Sequence, residues 1–438
     1  MCENPRMPGW IYTLLLYLLL PLALLKLGWR AIRQPEYLRH IPERFGFYRL
    51  PRPTQPLIWL HAVSVGETRA AAPLVAQLRS RYPGHAILLT QTTPTGRATA
   101  AQLFGDEVLR VYLPYDLSFA MRRFLRHFRP RIGLLMETEL WFNLIAACRA
   151  QQVPLLLVNA RLSEKSARGY ARLGTLTRDG LRRLTALAAQ TEDDAARLRQ
   201  LGAPTVTVMG NLKFDVTPPA AMLQLGRELR QRFGAARPVF LAASTRNGEE
   251  ELILDALRAA GVPQLLAVIV PRHPQRFGEV ASLLEKRGLV YQRRSQLQAG
   301  TPSPLAGEGR GEGVPRNVEV VLGDSMGEMF AYYAACDVAF IGGSLLPLGG
   351  QNLIEACAVG KPVLIGPHTW NFEQVAQAAV DEGAAVRVQD VAGLAAALRE
   401  LCADAVRQAE VGERGQAFTA RHRGATAKCL ALIATVIG

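Results

Sequence analysis

Short runs that are apolar throughout, separated by longer helix-like stretches, constrain this chain more than any other feature. Candidate strands lie at 56–63, 86–90, 108–113, 132–136, 154–159 and 206–209, with helical patterns such as 68–81 and 117–127 between them. A strand without polar alternation is buried on both faces. That is the habit of a parallel sheet covered by its own crossover helices. The pattern pauses over 210–219, which ends in Pro218-Pro219, and restarts at 239–243, 265–270, 289–293, 318–322, 338–341 and 362–365. The prediction is an α/β protein of two doubly wound Rossmann-like domains, 34–214 and 215–438, behind an N-terminal segment 1–33. A chain of 438 residues is long enough for two cores. One stretch breaks the rhythm: 298–317 is rich in Gly and Pro, has no apolar period, and reads as a flexible insertion.

The N-terminal segment narrows the setting. Residues 9–25 are leucine-rich and uncharged, with Trp10 and Trp29 placed as interfacial anchors. Lys26, Arg30, Arg33, Arg39, Arg44, Arg49 and Arg52 then outnumber Glu36 and Glu43, which keeps the following domains cytoplasmic. A cleaved signal peptide lacks its small-residue cleavage site here. A helix docking on the protein itself stays open, as does the choice between crossing the membrane and lying in its surface. The net charge of +14 attracts polyanions. No interleaving of aromatic and basic residues points to nucleic acid, so an anionic membrane surface is the expected partner. The six cysteines are widely spaced, with neither a CxxC pair nor a metal-ligand pattern, and read as reduced thiols.

Chemistry-bearing residues cluster just past predicted strands, where open α/β sheets bind ligands. His61-Ala-Val-Ser64-Val-Gly66-Glu67 ends the first strand and starts a helix. Glu67 there is either a proton acceptor for a sugar hydroxyl or an ordinary helix-start glutamate. Gly66 serves a positive φ or the close approach of a ligand. Glu137-Thr138-Glu139 follows the fourth strand and suits sugar hydroxyls, or equally a capped helix start. In the second half, Arg272 and His273, each flanked by Pro, are held as cations fit for a phosphate. Gly342-Gly343-Ser344 through Gly349-Gly350-Gln351-Asn352 to Glu355 joins a strand to a helix, where glycines let a phosphate approach free N–H groups. Glu355 is placed to bind a ribose diol. The pattern is neither GxGxxG nor GxxxxGK[ST], so it supports no dinucleotide site and no P-loop.

Together these blocks resemble the Kdo (3-deoxy-D-manno-octulosonic acid) transferases that build lipopolysaccharide on lipid A. The resemblance runs in order through Arg44-Phe-Gly46, the Glu67 block, the Glu137 block, Gly210-Asn-Leu-Lys213, Ala243-Ser-Thr245, the Arg272 block, Gly323-Asp324-Ser-Met-Gly327, the Gly350 block and Gly366-Pro-His368. It implies a GT-B fold with two domains facing a cleft and an N-terminal membrane-anchor helix at the cytoplasmic face of a bacterial inner membrane. It also implies CMP-Kdo as donor, a lipid A precursor such as lipid IVA as acceptor, inversion, and no metal or other cofactor. Carried over by position, it makes Glu67 the base and Arg272, Asn352 and Glu355 the nucleotide contacts. Ser64, Gly66, Glu137, Glu139, His273, Gly343, Ser344 and Gly350 complete the expected substrate site. The family usually reads Gly-His-Asn-Pro-Leu-Glu where this chain has Gly350-Gln-Asn-Leu-Ile-Glu355. Other nucleotide-sugar transferases, UDP-sugar epimerases of the same architecture, and a non-catalytic tethered polyanion binder are the alternatives.

Overall fold

The computed structural model describes residues 7–298 and 313–437. The chain divides into two compact units, one of Met1–Asp215 with His422–Gly438, the other of Val216–Arg421.

The first unit carries seven parallel strands: β1 (Leu57–His61), β2 (Ala86–Gln91), β3 (Leu109–Tyr112), β4 (Ile132–Met136), β5 (Leu155–Ala160), β6 (Ala186–Ala189) and β7 (Thr207–Val208). Their order is β3-β2-β1-β4-β5-β6-β7. Leu60 pairs with Leu89 of β2 on one side and Leu134 of β4 on the other. Alternate residues of β1 feed opposite cores. Trp59 packs against Phe124 on one face, while Ile58 and Leu60 join Leu74 and Leu78 on the other. Both faces are dry, as the unbroken apolar runs require.

The second unit repeats the design with β8 (Val239–Thr245), β9 (Leu266–Pro271), β10 (Tyr291–Arg293), β11 (Val320–Leu322), β12 (Val338–Ile341), β13 (Val363–Ile365) and β14 (Val386–Arg387). The order is β10-β11-β9-β8-β12-β13-β14. In each sheet the winding reverses at mid-sheet, between β1 and β4 and between β8 and β12. A crevice opens there between strand ends and binds the ligand in such folds.

The boundaries differ from the sequence expectation in two respects, and the first is that helix Gly9–Arg33, expected to stand apart, belongs to the first unit. The second domain does not run to the C-terminus. Helix Ala425–Ile437 places Cys429, Leu430 and Ile433 in the same core as Leu60 and Met136 of the first unit. The carboxylate of Asp215 fastens this return by accepting the N–H groups of Gly424 (2.6 Å) and Thr426. Most of the expected insertion 298–317 lies outside the described residues. Its end is seated, since buried Val314 donates its N–H to the Arg232 carbonyl at 2.7 Å. Helix Gly9–Arg33 is the one described helix long and apolar enough to cross a membrane.

Candidate functional site

In the first unit the residues of the β1 and β4 blocks meet at the winding reversal. Ser64 caps helix Val65–Ala70, its Oγ accepting the Glu67 N–H at 3.3 Å and donating to Glu67 Oε1 at 2.8 Å. Glu67 Oε2 accepts the Val63 N–H at 2.8 Å. This is a capping box, with the glutamate reaching one residue further back than usual. The carboxylate is thus pinned at both oxygens and 8 % exposed. Burial first, then the charge of Glu137, raises its pKa from the usual 4.5 to about 7, against the pull of the Val63 and Ser64 hydrogen bonds. A carboxyl poised near neutrality is suited to take a proton from an alcohol.

Gly66 does not serve a positive φ. It sits inside the helix, and a Cβ there would meet only Ser64 Oγ at 3.8 Å, so the space beside it is open to a ligand. Glu137 does adopt the left-handed region, at φ 55°, where β4 ends. Its Oε1 pairs with Lys213 Nζ at 3.3 Å. Glu139 instead accepts the Trp141 indole N–H, and burial followed by the Glu137 charge pushes its pKa up. Trp141 packs edge-on against His61, whose complete burial lowers its pKa to about 4 and keeps it neutral.

The sequence reading placed no role on Lys213 or Asn159. Asn159, the last residue but one of β5, has φ 54°, and its Oδ1 accepts the Leu212 N–H at 2.9 Å. It thereby holds the segment that presents Lys213 to Glu137. An asparagine near the end of an otherwise apolar strand was the available signal, because asparagine tolerates this backbone region better than most residues.

In the second unit the ends of β9, β8, β12 and β13 lie side by side. Arg272 leaves β9 with its N–H on the Thr245 carbonyl at 3.0 Å. Burial and then the charges of Arg272, Arg246 and Arg276 lower the pKa of His273. Arg276 is neutralised by Glu250 at 2.5 Å. Past β12, Gly343 (φ 72°) and Gly350 (φ 73°) close on each other, the Gly350 N–H donating to the Gly343 carbonyl at 2.6 Å. Among the described residues no acceptor is paired with the N–H groups of Gln351 and Asn352. Asn352 Oδ1 accepts the Ile354 N–H, and its Nδ2 donates to Glu355 Oε1 at 3.2 Å.

The Ser344 hydroxyl is committed within this loop. The side chain is wholly buried, donating to the Ile341 carbonyl and accepting the Gly366 N–H at 2.8 Å. The hydroxyl knots two loops together. Gly366 is required by that knot, since a Cβ there would lie 2.1 Å from the Ser344 carbonyl oxygen. The carboxylate holding the loop is Glu249, the first residue of helix Glu249–Ala260. It accepts the N–H groups of Gly343 (2.5 Å), Arg246 (2.9 Å) and Leu345 (3.1 Å).

A 3-deoxy-D-manno-octulosonic acid transferase of Bordetella pertussis is 46 % identical over 434 residues, covering 96 % of this chain and 97 % of the relative. The chain belongs to the Kdo transferase family. Residues 39–216 match the family model described as 3-deoxy-D-manno-octulosonic-acid transferase (kdotransferase), and 308–418 match glycosyl transferases group 1. The Haemophilus influenzae transferase of the same name is 37 % identical, with 96 % and 97 % covered. Among solved structures, Anabaena HepE in complex with UDP matches with TM-score 0.56 at 16 % identity, over 87 % of this chain and 99 % of that one. The UDP-GlcNAc 2-epimerase of Neisseria meningitidis matches with TM-score 0.53 at 16 % identity, over the same shares. These two share the fold of this Kdo transferase. The chain is accordingly a glycosyltransferase built from two Rossmann-like domains.

Proposed function

We propose that this enzyme moves Kdo from CMP-Kdo to lipid IVA or a related lipid A precursor, as a step of lipopolysaccharide synthesis at the cytoplasmic face of the inner membrane. The observation that carries the reading is Glu67, a doubly pinned, nearly buried carboxyl with a pKa of about 7 at the winding reversal of the first sheet. In this reading Glu67 takes the proton of an acceptor hydroxyl as its oxygen attacks the anomeric carbon of Kdo. The bond to CMP breaks on the opposite side, so the configuration inverts. CMP leaves with its phosphate charge met by Arg272 and the N–H groups of Gln351 and Asn352. The resemblance, in which transfer runs without a metal, supports giving the leaving group to these protein donors. Glu355 then takes the ribose diol. The test is transfer by the purified chain, with CMP-Kdo and UDP-sugars offered separately to lipid IVA. Product from CMP-Kdo alone supports the reading, and product only from a UDP-sugar overturns it.

The pH profile provides a second check. Glu67 acts as a base only when ionised, so kcat/KM is expected to rise with pH through about 7 and level off above it. Glu137→Gln removes the largest charge effect on Glu67 and should move that limb to lower pH by roughly half a unit or more. A limb that stays in place assigns it to another group. Stability runs the other way. A raised carboxyl pKa favours the fold most below the ordinary glutamate range, and that contribution is lost as pH climbs through about 7.

A further inference from the structure

Along helix Gly9–Arg33, burial is periodic although hydrophobicity is not. Tyr12, Leu16, Leu20, Ala23, Leu27 and Ala31, spaced by three or four residues, are half-buried or buried. On the opposite stripe Leu18, Leu22, Leu25, Trp29 and Ile32 stand open, Ile32 at 80 % and Leu25 at 70 %. The inner stripe is also bonded. Tyr12 donates its hydroxyl to Asp116 Oδ2 at 2.8 Å and sets its ring edge-on to Phe142, 5.2 Å between centroids. Thr13 Oγ1 donates to Asn143 Oδ1 at 2.7 Å. Asp116 is fixed in turn by the N–H groups of Asn143 and Leu144.

A helix crossing a bilayer at this position would draw Asp116 and the polar rim of the first domain toward hydrocarbon, where such groups are costly. A helix lying flat keeps these bonds and offers only its outer stripe to lipid. Next to it, helix Ser118–Phe128 forms a cavity of about 700 Å³ lined by Phe119, Arg122, Arg123, Arg126 and Gln151. Phe119 belongs to both features, since Tyr17 of the N-terminal helix packs on it at 6.4 Å. Arg123 lies over the Phe47 ring at 3.9 Å, and among the described residues no carboxylate pairs with these three arginines. Guanidinium forks without acids, beside an apolar stripe, match a molecule that is anionic at one end and greasy at the other.

We infer that the N-terminal helix lies in the plane of the membrane surface, docked along the first domain, and that the arginine pocket beside it seats the phosphate of an anionic phospholipid. A nucleic acid would satisfy the arginines and leave the apolar stripe in water. A phospholipid satisfies both.

Two measurements on the full chain test this. An N-terminal epitope is probed with protease in sealed inner-membrane vesicles turned cytoplasmic face outward. Digestion without detergent is expected for the flat helix, and protection until detergent is added would overturn it. Binding is then measured to phosphatidylcholine vesicles with and without phosphatidylglycerol. Wild type should prefer the anionic vesicles. Arg122→Gln/Arg126→Gln, with an unchanged melting temperature, should bind them roughly 10- to 30-fold more weakly and bind neutral vesicles as before. Equal binding by variant and wild type would remove the pocket. Release from vesicles by inorganic phosphate well below the millimolar range would reassign it to a free anion, against the lipid.

Discussion

Glu67→Gln is expected to lower kcat for Kdo transfer by roughly 10²- to 10⁴-fold, the usual worth of a positioned general base, with donor affinity unchanged. The amide is chosen because Glu67 has two duties that this change separates. Its carboxylate closes the cap of helix Val65–Ala70 through Val63 N–H and Ser64 Oγ, and it carries a pKa of about 7. Glutamine keeps one oxygen for the Val63 N–H. It turns the Ser64 contact round, so that the hydroxyl accepts where it had donated. The cap survives while the proton acceptor is gone. Glu67→Ala removes both, and should add a loss of stability of about 1 kcal/mol from the lost Val63 and Ser64 contacts of the capping box. Single-turnover transfer and thermal unfolding of the two variants side by side decide the matter. Transfer by Glu67→Gln at the wild-type rate would leave Glu67 a capping residue, and the base would have to be sought at Glu137 or Glu139.

Much of this was legible in the sequence, because the information is local. Strands apolar on both faces, such as Leu57–His61 and Leu266–Pro271, announce a parallel sheet wherever they occur. The residues past their ends fall in the crevice without further assumption. The two strands missing from the sequence reading are Ala186–Ala189 and Val386–Arg387, toward the sheet margins. An alanine-rich tetrapeptide and a dipeptide carry no period to read. The return of helix Ala425–Ile437 to the first domain was invisible for another reason: an apolar helix face does not say which core it will join.

Within the site, sequence placed the carboxylates and cations but not their neighbours in space. Lys213 is far from Glu137 in the chain, and only the fold brings them within 3.3 Å. Ser344 entered the expected substrate site through the family resemblance, as part of the loop that follows β12. The knot with Ile341 and Gly366 shows the hydroxyl committed to backbone. Glu249 was hidden among three adjacent acids, which as a sequence pattern suggest only a favourable helix start. Only the fold turns Glu249, together with Glu250, inward.

The Glu249 carboxylate supports the second large effect. Glu249 is fully buried, and its oxygens satisfy the N–H groups of Gly343, Leu345 and Arg246. Glu249→Ala leaves the buried Gly343 and Leu345 donors and the half-buried Arg246 N–H facing a void, and each buried orphan costs about 1–3 kcal/mol, so a loss of roughly 3–5 kcal/mol is expected. For a domain of this size that lowers the melting temperature by roughly 10 °C. Glu249→Gln keeps the volume but turns one oxygen into an N–H that meets other N–H groups, so it should cost less than alanine and still loosen the loop. The loop that Glu249 holds leads into Gln351 and Asn352, so the glutamine variant is expected to raise KM for the donor with kcat little changed. The pair of variants separates stability from donor binding. A melting temperature within about 1 °C of wild type for Glu249→Ala would mean that water replaces the carboxylate and the loop stands without it. A Glu249→Gln enzyme with unaltered donor KM would mean that the phosphate is bound elsewhere than at this turn.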